Sequence, residues 1–439
     1  MARLDRRTFL ELSAAGVGAA AATGLPAQAI AAAEASPFKP EKGAQLQLLR
    51  WTEFVKGDRT AWEANTKKFT ELYGIPVQTQ WLNWPDVSPK AALAAQINSG
   101  PDIIMGWNSD AYLFPEKLVD VSDLVDYIQK KSGYVYPVAR SYCYHDTLKR
   151  WISVPIGVPG NAMVYRKDWA EQAGFHSFPT DMEGMLALAR AMKKQGHPCG
   201  FSLGHAVGDS QGWSHWNLWG HGGRQVNADN SPAIISDETQ ASIEYAQQLF
   251  ETMIDGVASW GDPSNNQAFL AGQCSLTMNG ISIWYVAKQQ YPKLFPVTYN
   301  ALPPFGPIKQ RTQFSTFTHA FIWKYTKYPN AAKEYLRFML DKAQAGPWVT
   351  EMIGYVTPAY RGFTKLPIWT SDPNVTPYRD VLDGARFDGW PGVPGRAAAQ
   401  ATDQFVLIDM YADVCINKMS PKAAMQKAEN RLTQIYKTA

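Results

Sequence analysis

Tryptophan in polar, glycine-containing segments is the feature of this sequence that most directly implies a binding chemistry. The chain of 439 residues contains 16 Trp and 20 Tyr. Indoles stand beside Gly, Asn, Ser or Pro at residues 81–85, 106–108, 212–216 and 389–391, and we predict that these segments are loops. An indole held in a loop offers a rigid apolar face and one N–H donor. Such groups suit a ligand with a flat C–H face and a polar rim, which describes a sugar.

Polar side chains accompany the first indoles. Glu53 follows a predicted strand, Asn83 precedes Trp84, and Asp110 lies three residues after Trp107. A carboxylate accepts charge-assisted hydrogen bonds from two hydroxyls, so Glu53 and Asp110 are candidate ligand contacts together with Asn83, Trp84 and Trp107. The structural alternatives are a solvated loop carboxylate for Glu53, a helix cap at residues 110–116 for Asp110, and a core position for any single Trp.

A second group of candidates lies later in the chain. Trp213 and Trp216 stand just before a Gly-Gly pair, and Trp390 and Arg396 belong to a segment rich in Pro and Gly. Arg396 would give a bidentate contact to a hydroxyl pair or an acidic group, or else pair with Asp388 at the surface. The loop at residues 370–395 is longer than ordinary connections, which is typical of a functional or poorly ordered segment.

The hydrophobic pattern predicts an α/β fold that would hold these candidate residues in place. We predict strands at 46–51, 75–82 and 102–105, alternating with helices at 58–73 and 86–98. Strands that alternate with helices form parallel sheets with right-handed crossovers. Open sheets of this kind bind ligands beyond the carboxyl ends of their strands, where Glu53, Trp84 and Trp107 fall.

The remaining pattern predicts a second lobe of the same class. Strands at 151–156 and 161–165, separated by residues 157–160, indicate a crossing, and a capping box formed by Thr180 and Glu183 opens a helix. A strand at 317–323 and the irregular stretch 355–367 suit two further crossings. Other predicted elements are helices at 237–254, 263–272, 330–341, 397–416 and 421–437, and a strand near 275–278.

Composition excludes several classes. The formal net charge of +3 is dispersed, whereas nucleic-acid-binding proteins usually carry a basic stripe. His205, His215 and His221 have no helical i,i+4 pairing or adjacent carboxylate that would indicate a metal site, and we expect no metal and no cofactor. The four cysteines form no metal-binding spacing, and we expect buried free thiols, with disulfides as the alternative.

The N-terminus predicts export. Arg6 and Arg7 precede Thr-Phe-Leu, an Ala/Gly-rich apolar run and the sequence Ala-Gln-Ala at 27–29. This is the pattern of a twin-arginine signal peptide spanning residues 1–29, with a second cleavage position near 35. The apolar run is shorter than the ~20 residues that a membrane span needs. The mature chain is therefore expected in the periplasm.

Four motifs in order resemble a known family. They are Gly-Pro-Asp-Ile-Ile-Met-Gly-Trp at 100–107, Val-Pro-Ile at 154–156 with Met-Val-Tyr-Arg-Lys-Asp at 163–168, the segment 269–280 followed by Trp284, and residues 330–439. Together they resemble the solute-binding proteins of carbohydrate ABC importers, the group of maltose-binding protein, over residues 44–439.

The resemblance implies a two-lobed periplasmic binding protein fold of type II with three interlobe crossings. It implies an N-lobe of 44–155 plus 317–360, a C-lobe of 156–316 plus 361–439, and ligand contacts from Asn279, Gly280 and Trp284. The implied function is capture of a sugar in the cleft and its delivery to an ABC permease with its ATPase. The protein would be a monomer and not an enzyme.

The sequence departs from the maltose pattern in two places. Pro-Gly-Asn at 159–161 stands where the first crossing of that group carries an acidic residue, and Ile-Ser-Ile at 281–283 replaces a stacking Trp. The sugar is therefore left open, and so are a polyol, a sugar phosphate or a sulfonated sugar. An exported glycoside hydrolase is the remote alternative, since it also uses Trp-lined clefts, but it needs two carboxylates about 5–9.5 Å apart.

Overall fold

The chain folds into two α/β lobes, each a sheet flanked by helices. The computed structural model describes residues 36–314 and 316–438. The predicted signal peptide, residues 1–29 with its second cleavage position near 35, lies outside the described residues. Among those described, no helix combines the length and the apolar character that crossing a membrane requires.

Six strands form the sheet of the first lobe, in the order β12-β6-β11-β3-β1-β2. Strand β1 pairs in parallel with β2 and β3, so the carboxyl ends of all three meet at one edge. Strand β11 runs antiparallel between β3 and β6. The strands are β1 (Leu46–Trp51), β2 (Val77–Leu82), β3 (Ile103–Trp107), β6 (Val154–Pro159), β11 (Thr318–Ile322) and β12 (Val356–Pro358).

A three-stranded sheet, ordered β8-β7-β9, forms the centre of the second lobe. Its strands are β7 (Ala162–Arg166), β8 (Leu276–Asn279) and β9 (Thr298–Ala301). Two short pairs complete the strands: β4 (Tyr144–His145) with β5 (Arg150–Trp151), and β10 (Gln313–Phe314) with β13 (Ala385–Arg386).

Helices cover both sheets. Those of the first half are α1 (Lys56–Tyr73), α2 (Val87–Ile97), α3 (Ser122–Ser132), α4 (Pro137–Cys143), α5 (Lys167–Gln172), α6 (Met182–Lys194), α7 (Asp209–Gly220) and α8 (Asp237–Phe250). Those of the second half are α9 (Ser264–Leu270), α10 (Ser282–Gln290), α11 (Pro329–Met339), α12 (Lys342–Glu351), α13 (Thr376–Arg379), α14 (Arg396–Asp403), α15 (Val406–Cys415) and α16 (Pro421–Thr438).

Most predicted elements exist, and three of the differences have a clear physical cause. Strand β6 continues to Pro159, so only residues 160–161 separate it from β7, because the apolar run through Val158 packs in the sheet. The cap of α6 is Asp181, whose carboxylate accepts from the Gly184 N–H, and not Thr180. The predicted helix at 397–416 is two helices, because Phe405 takes a left-handed conformation between α14 and α15.

Packing shows where the chain passes between the lobes. The apolar core around the six-stranded sheet includes residues as late as Leu382, together with Ala162, Ile281 and Trp284 of the second lobe, whereas Trp390 packs against the second core. We propose crossings near 160–161, 316–317 and 383–390, and the crossing expected from sequence at 355–367 stays a prediction. The four cysteines are buried and free.

Candidate functional site

A cavity lies where the two lobes meet, and residues from both lobes line it. Its volume is about 380 Å³ including its open mouth. The lining residues are Phe54, Trp84, Pro159, Asn161, Gly208, Asp209, Asp262, Asn279, Gly280, Ser282, Thr316 and Tyr355.

Aromatic rings form the first-lobe wall of this cavity. Phe54 follows β1, and Trp84 begins a single helical turn just after β2, so both sit at the carboxyl edge of parallel strands. Phe54 contacts the rings of Trp84 and Tyr355, with centroid distances of 5.8 and 6.5 Å. Behind this wall, Trp107 stacks on Trp84 at 4.7 Å and 6°. The stack fixes the plane of the Trp84 indole.

The indole N–H of Trp84 is buried and has no partner among the described residues. Only 6% of the residue is exposed. Burying an N–H without a partner costs about 1–3 kcal/mol, so an acceptor that enters the cavity gains by meeting it. Trp84 therefore offers both an apolar face and a donor.

Amide and hydroxyl groups form part of the second-lobe wall. Asn279 ends β8, and its amide donates to Asn266 Oδ1 at 2.6 Å and to Ser282 Oγ at 3.2 Å. The Asn266 amide also donates to Ser282 Oγ, at 2.9 Å. These bonds hold Asn279 and Ser282 in fixed orientations beside Gly280. The absent side chain of Gly280 leaves room against Tyr355, since a Cβ there would lie 3.3 Å from the Tyr355 ring.

Two carboxylates complete the second-lobe wall at the start of α7. Asp262 accepts from the backbone N–H groups of Val207, Gly208 and Asp209, at 2.8, 2.7 and 3.2 Å. Asp209 is 7% exposed, and its Oδ2 has no hydrogen-bond partner among the described residues. Burial, together with the charge of Asp262, raises the pKa of Asp209 well above its ordinary value.

The structure brings Trp84, Asn279 and Gly280 to the cavity and places the other predicted residues elsewhere. Trp107 lies one layer behind, against Trp84. The carboxylate of Asp110 accepts from Ser88 Oγ at 2.9 Å and from the Trp107 N–H at 3.3 Å, within the first lobe. Burial raises the pKa of Asp110, and the charge of Asp388 adds to the increase.

Glu53 and Asn83 flank cavity residues without lining the cavity. Glu53 Oε2 lies 3.8 Å from Arg59 Nη1, and Asn83 is exposed between β2 and the turn of Trp84. In both cases the next residue in the chain, Phe54 or Trp84, takes the inward direction. We keep Glu53 and Asn83 as candidates for the rim of the site.

Trp213 and Trp216 belong to a helix, which corrects the loop prediction for residues 212–216. The same prediction is wrong for residues 81–82 and 106–107, which end strands β2 and β3. All twelve residues of α7 are buried, which explains why its sequence lacks an amphipathic pattern. The indole N–H groups donate to the carbonyls of Ser202 at 2.6 Å and Pro304 at 2.8 Å. Both indoles are parts of the second-lobe core. Trp284 is likewise buried, against Phe295.

Trp390 and Arg396 lie at the interface of the lobes and outside the cavity. The Arg386 guanidinium lies over the Trp390 ring, 3.6 Å from its centroid. Arg396 Nη2 donates to the Leu113 carbonyl at 3.0 Å. Because Arg396 begins α14 and Leu113 belongs to the first lobe, this bond ties one lobe to the other.

The three histidines named from sequence are separate. His205 Nε2 lies 2.8 Å from Asp409 Oδ1, and His221 Nδ1 lies 2.8 Å from the Asn217 carbonyl. His215 is enclosed between Gln211 and Gln225, and burial lowers its pKa to about 4. Within the described part of the chain, no cluster of His, Cys, Asp or Glu has the geometry of a metal site.

Sequence reasoning missed most of the second-lobe wall. Asp209 and Asp262 are 53 residues apart and meet only because Asp262 accepts from the Asp209 N–H. Only Asn161 could have been predicted as a cavity residue, because it lies in the first crossing, where the family has an acidic residue. Phe54 was one residue from a predicted contact, and Tyr355 opened a stretch predicted as a crossing.

Comparison with known proteins places the chain in a family. Residues 64–377 match the family described as bacterial extracellular solute-binding protein. The match covers more than half of the chain, and the protein therefore belongs to this family of exported binding proteins. A comparison with the curated proteins finds no match.

Solved structures of sugar-binding proteins share the fold over their whole length. Maltose-bound MalE3 of T. maritima has a TM-score of 0.76 at 17% identity, covering 90% of this chain and 100% of that one. A Thermotoga lettingae solute-binding protein bound with α-D-tagatose gives 0.77 at 17% identity, covering 90% and 100%. An Arthrobacter chlorophenolicus sugar transporter with bound laminaribiose gives 0.75 at 16% identity, covering 89% and 99%. These likenesses confirm the two-lobed α/β fold.

Proposed function

We propose that this protein is the exported receptor of an ABC importer, which captures a sugar in the interlobe cavity and delivers it to the permease. The proposal rests on the different chemistry of the two walls of the cavity. Phe54, Trp84 and Tyr355 present rings from one side, and amide, hydroxyl and carboxyl groups face them from the other.

The chemistry of a sugar fits both walls at once. Its C–H faces pack on aromatic rings, while its hydroxyls donate to Asp209 Oδ2 and accept from Trp84 Nε1, both of which lack partners among the described residues. Micromolar affinity corresponds to about −8 kcal/mol. One or two ring contacts and several satisfied hydrogen bonds supply an energy of that size.

The neighbouring structures support a saccharide ligand. The proteins that share this fold hold maltose, α-D-tagatose and laminaribiose. Identities of 16–17% transfer the fold and not the identity of the sugar.

The lining of the cavity argues against an anionic ligand. Among the described residues that line it, none is Lys, Arg or His, and two are Asp. Arg396 and His215, on which a sugar phosphate or sulfonated sugar would depend, bind other protein groups. We therefore favour a neutral or cationic sugar, or a polyol, over the anionic alternatives.

We also propose that the protein performs no catalysis. A glycoside hydrolase places two carboxyl groups on either side of the scissile bond. Here Asp209 and Asp262 both belong to the second-lobe wall, and backbone N–H groups hold Asp262 in place. Labelled oligosaccharides incubated with the protein should remain intact, and turnover that depends on Asp209 or Asp262 would contradict the receptor role.

A thermal-shift screen of monosaccharides, disaccharides, polyols and sugar phosphates tests the proposed function. A ligand at 100 times its dissociation constant adds about 2.7 kcal/mol to stability, which raises the melting temperature by several degrees. We expect at least one sugar or polyol to produce this increase. If none does, while the protein melts cooperatively, capture of a sugar is wrong.

Export by the twin-arginine route to the periplasm remains part of the proposal. Arg6 and Arg7 support it, and lysines at both positions should leave the precursor in the cytoplasm. Normal export of that variant would show that the arginine pair is incidental. The proposed partner is the membrane permease with its ATPase, and the protein is proposed to act as a monomer.

A further inference from the structure

The charges of the cavity narrow the class of sugar. Resting on the proposed function, we infer that the natural ligand is an amino sugar whose protonated amine lies against Asp209. The argument starts from the imbalance of charge in the cavity wall, which contains two carboxyl groups and no basic side chain among its described residues.

Asp262 and Asp209 differ in how many hydrogen bonds their carboxylate oxygens accept. Asp262 is occupied by the N–H groups of Val207, Gly208 and Asp209. Asp209 keeps one oxygen without a partner while 7% exposed. A buried carboxylate that is only partly hydrogen-bonded is costly when charged, and a proton or a cation at the unpaired oxygen would offset that cost.

Other residues that line the same cavity also suit an ammonium ion. A primary ammonium carries one positive charge and three N–H donors. Phe54, Trp84 and Tyr355 line the same cavity, and aromatic faces attract cations. The amide oxygens of Asn161 and Asn279 are further acceptors within the lining.

The hydroxyl of Thr316, beside Asp262, also supports a ligand that carries an amine. A Cβ at Gly208 would lie 3.3 Å from Asp262 Oδ1 and 3.5 Å from Thr316 Oγ1. Thr316 Oγ1 is buried without a hydrogen-bond partner among the described residues. Thr316 Oγ1 therefore lies near the Asp262 carboxylate and is one more acceptor for a donor group of the ligand.

Release of a proton on binding would distinguish an amino sugar from a neutral sugar. Burial and the charge of Asp262 raise the pKa of Asp209, which favours the protonated carboxyl while the site is empty. When a protonated amine arrives, the carboxyl loses that proton to the buffer and the ion pair forms. A neutral sugar leaves the proton on Asp209, where it faces Asp262 and the phenol of Tyr355.

Calorimetry with matched sugars tests this. Glucosamine, galactosamine and mannosamine are compared with glucose, galactose and mannose, and N-acetylglucosamine serves as an uncharged control. At pH 6, in buffers of different ionisation enthalpy, we expect one amine to bind at least tenfold more tightly than its hydroxyl partner and to release about one proton. The neutral sugars should release none.

Asp209→Asn is the decisive variant, since it keeps the shape and removes the charge. It should bring the amine to the affinity of the neutral sugar and abolish proton release. Asp126→Asn, at an exposed position of α3, is the matched control and should change neither. If Asp209→Asn does not fold, proton release by the unmodified protein tests the same assignment.

Two outcomes separate this inference from the proposed function. Neutral sugars that bind as tightly as their amines, without proton release, would overturn the amino-sugar assignment and leave the sugar receptor intact. Absence of binding by every sugar, amine and polyol would overturn both.

Discussion

Ser109 Oγ donates a 2.7 Å hydrogen bond to Asp388 Oδ1, across a sequence separation of 279 residues. Ser109 follows β3 in the first lobe, and Asp388 lies in the segment where we place the last crossing. The Asp388 N–H also donates to the Tyr142 hydroxyl, at 3.0 Å. The crossing is thus attached to the first lobe at two points, close to the contact between Arg396 and Leu113.

Removing this bond should change how the lobes meet. Ser109→Ala leaves the buried Asp388 carboxylate without its donor, which costs about 1–3 kcal/mol. We expect a lower melting temperature and a larger radius of gyration without ligand, measured by small-angle scattering. Ser88→Ala is the control, because Ser88 donates to Asp110 within the first lobe. It should lower stability without changing the radius. Equal radii for both variants would contradict an interlobe role for Ser109.

Stability should depend on pH through Asp388. Burial raises the pKa of Asp388 to about 6, against its ordinary value near 4. The folded state therefore binds this proton more tightly than the unfolded state does, and stability falls as pH rises from about 4 to 6. Asp388→Asn should reduce this loss of unfolding free energy by about 1–3 kcal/mol. Urea unfolding between pH 4.5 and 8 measures it. The raised pKa values of Asp110 and Asp403 extend the decline to higher pH in both proteins. If the free energy of unfolding falls equally with pH in both proteins, Asp388 does not cause the loss.

The Trp84 indole should contribute to ligand affinity. Trp84→Phe keeps a ring in the cavity but removes the N–H donor and part of the contact area, a loss of about 1–2 kcal/mol. We expect affinity for the sugar identified by the thermal screen to fall about tenfold in calorimetry. Trp390→Phe, outside the cavity, should leave it unchanged. A larger effect at Trp390 would restore that residue as a ligand contact.

Filling the space beside Asp262 should exclude the ligand. Gly208 has φ −94° and ψ −56°, which alanine accepts, so Gly208→Ala should keep its backbone conformation. The added carbon would lie 3.3 Å from Asp262 Oδ1, so that carboxylate must shift by a few tenths of an ångström. The alanine methyl group would occupy the space near Asp262 Oδ1 and Thr316 Oγ1. Affinity should fall at least tenfold with little change in melting temperature. Gly395→Ala, where nothing lies within 4 Å of the added carbon, is the control. Unchanged binding by Gly208→Ala would place the ligand elsewhere.

The strand-end part of the site was accessible from sequence because local patterns determine it. The alternation of strand and helix through residue 107 predicts a parallel sheet, and the carboxyl edges of that sheet predict where side chains meet. Trp84 was found in this way. The pattern does not determine which of two neighbouring residues points inward, and the structure turns Phe54 and Trp84 inward in place of Glu53 and Asn83.

The other part of the site depends on contacts that no local pattern records. Asp209 enters the cavity because α7 is buried on all sides and begins there, and a buried helix has no amphipathic signature. The same burial explains why Trp213 and Trp216 are core residues. Polar neighbours such as Ser214, His215 and Asn217 gave the segment the composition of a loop, yet each of the three bonds to a nearby backbone carbonyl.

The strand order of the first lobe constrains how the chain folds. Strand β11 lies between β6 and β3, and β12 lies beyond β6, yet both follow the strands of the second lobe in sequence. A nascent chain that ends before residue 318 lacks a central strand of its first sheet, and β6 then has no partner to join it to β3. The first lobe therefore cannot be completed ahead of the second during synthesis. Folding must be a late event of the nearly complete chain, slow for its size because its pairings are distant in sequence.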